Sequence, residues 1–81
     1  MHEAVLQLMC ILASGIETEE ASADQLGAIA AKASALGDDL IAKGLAAVAR
    51  NHRVRALELQ SELAAVSMTH GGIFHQHLTE D

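Results

Sequence analysis

The first dozen positions offer no polar side to a helix. Val5, Leu6, Leu8, Met9, Cys10, Ile11 and Leu12 surround the axis instead of forming one stripe. The pattern predicts a helix over about 2–14, with Gly15 able to take the left-handed conformation that ends it. Glu17, Glu19 and Glu20 then read as an acidic connection to a second pattern, Leu26, Ile29, Ala33 and Leu36 at helical spacing. Two N-caps compete for its start. Thr18 would set two glutamates at the positive end of the helix dipole, whereas Ser22 with Gln25 three residues on makes a capping box. Ser22 is preferred because the apolar stripe begins just after it.

Leu36, Gly37, Asp38 and Asp39 are the clearest punctuation in the chain, a glycine stop followed at once by an aspartate cap. They predict a tight helical hairpin whose facing positions sum to about 75. That register sets Gly44 near Ala31, and a mid-helix glycine costs about 1 kcal/mol relative to alanine, so close backbone approach is one reading of it and a tolerated exposed glycine the other. Ile41, Leu45 and Val48 continue as Leu59, Leu63 and Val66, with His52 and Arg55 interrupting the stripe. The interruption predicts a bend near Asn51. A further helix is expected from about His52 to Thr69, stopping at Gly71 and Gly72, with Phe74 folding back onto the bundle.

Composition sharpens the fold class. Sixteen of 81 residues are alanine, there is no proline, and Phe74 is the one aromatic residue. Alanine has the most favourable helix propensity and proline the least, so nearly every window favours helix. The expectation is an all-α chain of three or four helices in a hairpin or small bundle. It forms one domain over 1–81, with a flexible histidine-containing tail at about 71–81. Alanine buries little surface, and Cys10 alone excludes an internal disulfide, so completion by oligomerisation is expected. The apolar residues of the first helix, Val5, Leu8, Met9 and Leu12, are the expected contact with a second chain.

Charge removes some function classes. A net charge of −6 argues against general nucleic-acid binding, which draws on a surplus of lysine and arginine. The apolar run 4–13 is too short for a membrane span and lacks a basic signal-peptide start. With a lone cysteine, this points to the cytoplasm. Within the apolar first helix, Cys10 reads as a buried small hydrophobe.

Two groups of side chains carry chemical potential. His70, His75 and His77 fall within eight residues, and imidazole is a common ligand of Zn, Ni and Cu. An extended tail would point His75 and His77 the same way, with His70 completing a three-ligand face. Against this, no recognised zinc spacing occurs, and histidines in a terminal segment are ordinarily solvated. Arg50, His52, Arg53 and Arg55 gather three of the five basic residues in one place. A protein partner's acidic surface, the chain's own Glu17, Glu19 and Glu20, or a bound phosphate would each supply the counter-charge. No catalytic triad, phosphate-cradling loop or cofactor signature is present. The reading is a non-enzymatic helical protein–protein interaction module: a small acidic regulator, adaptor or co-chaperone-like partner, pairing with another protein or with itself as a homodimer and needing no cofactor. The alternative is a transition-metal-binding protein that uses the C-terminal histidines.

Overall fold

Helix propensity, unopposed by proline, carries each half of the chain through as one continuous helix. The computed structural model describes the backbone of residues 2–80 and the side chains of residues 2–69. Helix α1 (His2–Ala35) and helix α2 (Asp39–Glu80) fold back on each other as an antiparallel hairpin measuring 62 × 18 × 15 Å. The described residues contain no strand.

The turn forms where the sequence punctuates it. Gly37 has φ +82°, the left-handed conformation that glycine takes without penalty. Its N–H donates to the Ser34 carbonyl at 2.9 Å, and the Asp38 N–H donates to the Ala33 carbonyl at 2.9 Å. Together these are the paired bonds of a Schellman motif, closing the orphan carbonyls of α1. The Asp38 carbonyl then accepts the Ala42 N–H at 3.0 Å, so the residue that completes one helix caps the next. Alanine at position 37 would have to hold the left-handed conformation at a cost of about 1–2 kcal/mol. We expect Gly37→Ala to lower the thermal midpoint accordingly, with no change in helix content by circular dichroism.

Along α1 the residues drawn out of solvent are Val5, Met9, Leu12, Ile16, Glu19, Ala23, Leu26, Ala30 and Ala33; along α2 they are Ala42, Leu45, Ala49, His52, Ala56, Leu59, Leu63 and Val66. Both sets alternate steps of three and four, the repeat of an antiparallel coiled-coil seam. Smaller residues beside the seam, Gly15, Ser22, Gly27, Ala46, Ala47 and Ser67, are partly covered too. Contacts of Glu19 with His52, Gly15 with Leu59, Glu20 with Gln60 and Gly27 with Arg53 bracket the expected register. The buried core is Leu12, Ala23, Ala30, Ala49 and Ala56. Ala23 with Ala30, and Ala49 with Ala56, stand one heptad apart, and alanine at such a position lets two backbones approach closely. Toward the open end the seam residues are large, Met9, Leu12, Ile16, Leu59, Leu63 and Val66, whereas toward the turn alanines alternate with Leu26 and Leu45.

Several expected boundaries are absent. Gly15 does not stop α1: a Cβ built there would lie 3.1 Å from Leu59 Cδ1, so this glycine makes room for the facing leucine inside a continuous helix. The Ser22 cap disappears with that stop, as does the bend at Asn51, and α2 also runs through Gly71 and Gly72. A glycine disfavours helix by only about 1 kcal/mol, and the seam on either side outweighs it. Two helices therefore replace the expected three or four. Gly44 does not face Ala31, since nothing lies within 4 Å of a Cβ built on it. Cys10 is exposed, not buried. Phe74 and the proposed tail lie outside the described side chains.

Candidate functional site

Midway along the seam two core positions are polar. Glu19 on α1 and His52 on α2 occupy places that the heptad reserves for apolar residues, and each side chain keeps 21% of its exposure. His52 Nδ1–H donates to Glu19 Oε2 at 2.6 Å. Arg55, one turn after His52 and more than half exposed, brings NH1 to 3.8 Å from the same Glu19 oxygen. Two side chains of α2, His52 and Arg55, thus converge on one carboxylate of α1. On the opposite side of the hairpin, Gln60 Nε2 donates to Glu20 Oε1 at 3.1 Å.

The layer explains why His52 and Arg55 do not bend α2. Their counter-charge stands on the facing helix, so the stripe is interrupted in sequence but satisfied in space. Among the described residues no buried side-chain nitrogen or oxygen lacks a partner. Such a pair has a structural use, because sliding the helices by one heptad would set Glu19 and His52 against alanine or leucine and leave both groups unpaired.

Two open grooves flank the seam on the side that carries Glu20 and Gln60. One, of about 330 Å³, is lined by Glu20, Ala23, Asp24, Arg53, Ala56, Leu57 and Gln60. The other, of about 420 Å³ and nearer the turn, is lined by Gly27, Ala30, Ala31, Ser34, Asp39, Ala42, Lys43 and Ala46. Neither includes Glu19, His52 or Arg55. The polar layer therefore does not line either groove, and acid–base work on a ligand held there would have no use of it.

No protein-family model, curated protein or solved structure matches the chain.

The residues singled out from the sequence scatter. Of the basic group, Arg50 is exposed and His52 lies in the seam. Arg53 lies over Gly27, with its guanidinium NH2 3.4 Å from where a Cβ would stand, while Arg55 turns to Glu19. They do not form one basic surface. Of the expected contact residues on α1, Leu12 is buried at 7% exposure and Val5 and Met9 are half-buried on the seam stripe, so all three face α2; Leu8 alone points outward. The apolar belt of the first helix is divided between α2 and solvent. His70, His75 and His77 lie outside the described side chains, and among the described residues no cluster of His, Cys, Asp or Glu is arranged to hold a metal. No helix there is long and apolar enough to cross a membrane.

Large apolar side chains stand in solvent elsewhere. Leu36 is 86% exposed and Leu40 84%, beside the turn, with Ile29, Ile41 and Val48 about half exposed nearby. Sequence reasoning placed exposed apolar surface on α1's first turns, where Leu6, Leu8 and Ile11 do stand in solvent, and did not single out the turn end. The signal for the turn-end surface was present in Ile29–Leu36 and Ile41–Val48, each pair one heptad apart and just outside the seam stripe.

Proposed function

We propose that the hairpin is a non-enzymatic interaction module that presents a helical face to another protein chain, as a small acidic regulator, adaptor or co-chaperone-like partner. The observation that carries this reading is the uneven use of its apolar side chains. The seam buries alanines, while leucine, isoleucine and valine side chains beside the turn remain in solvent. Exposed apolar surface grouped in this way marks a contact in waiting. A net charge of −6 keeps such a chain dispersed and favours protein over nucleic acid as partner.

The test is site-specific photo-cross-linking in the native cell. A photoreactive residue at Leu36 is expected to give a discrete cross-linked species, and one at Glu17, exposed on α1, is expected to give none. Equal labelling from both positions, or none from either, would contradict the reading.

The second reading, binding of Zn, Ni or Cu by His70, His75 and His77, is supported by three imidazoles within eight residues. Calorimetric titration with zinc separates the two: binding tighter than about 100 μM, lost when His75 and His77 become alanine, supports a metal site, and no heat of binding removes it.

A further inference from the structure

We draw no further inference here: the strongest candidate, the apolar surface patch beside the turn formed by Ile29 and Leu36 of α1 with Ile41 and Val48 of α2, is an unpartnered face, and nothing in the structure shows what covers it.

Discussion

Leucine in place of Ala49 is expected to cost the hairpin about 3 kcal/mol, lowering its thermal midpoint by more than about 10 °C. Ala49 is 1% exposed and lies one heptad from Ala56, at the level where the register brings Leu26 across from α1. Three added carbons have no void to enter, so either the side chain leaves its rotamer or the helices separate along their length. Separation would also pull His52 from Glu19, one turn away. The same substitution at Ala21, exposed on the outer side of α1, should change stability by no more than about 0.5 kcal/mol, which removes helix propensity as the cause. Comparable losses at both alanines would mean that the seam is not close-packed.

The second large effect concerns the polar layer. His52→Leu is expected to destabilise by about 1–2 kcal/mol, because Glu19 keeps a half-buried carboxylate in the seam with only the 3.8 Å approach of Arg55 to answer it. Replacing Glu19 as well should return that loss and add stability, since two leucines in mid-seam bury apolar surface where a polar pair stood. The gain should come with looser specification: without the pair, neighbouring registers cease to be penalised. Disulfide trapping between Met9→Cys and Val66→Cys, at one level of the observed register, reads this directly. The double variant should cross-link less completely than the wild-type seam, alongside a higher melting temperature. A double variant less stable than His52→Leu would show that the layer is held for its energy and not for its register.

Much of the fold could be read from the residues, and the reasons for the remainder are physical. The turn was legible because Gly37 and Asp38 have one economical use in sequence, a left-handed stop joined to a cap, and the register followed from the turn. The seam was obscured by alanine, which favours helix whether buried or exposed and adds little to a hydropathy pattern. Its signal lay in spacing, with Ala23 and Ala30 on one helix and Ala42, Ala49 and Ala56 on the other at seven-residue steps. Gly15 looked like a stop because its neighbour in space, Leu59, is 44 positions away in sequence. His52 and Arg55 looked like a break because a hydropathy stripe shows only the interruption, although Glu19, which satisfies them, is among the acidic residues expected as their counter-charge. The candidate contact surface was legible only in part for the same reason. Val5, Met9 and Leu12 are apolar, but the seam uses them, whereas Leu8, with Leu6 and Ile11, stays exposed on the first turns of α1 and further exposed apolar side chains stand beside the turn.

The central claim, that this hairpin works by covering its apolar face against another chain, is tested most directly by the intact mass of the complex it forms in its native cell. The chain alone weighs 8.5 kDa. Gentle recovery through a terminal tag followed by native mass measurement should yield a discrete heavier species, a whole number of copies of the chain or the chain with one protein in fixed ratio. Recovery of the 8.5 kDa chain by itself, at the concentration it holds in the cell, would contradict the account.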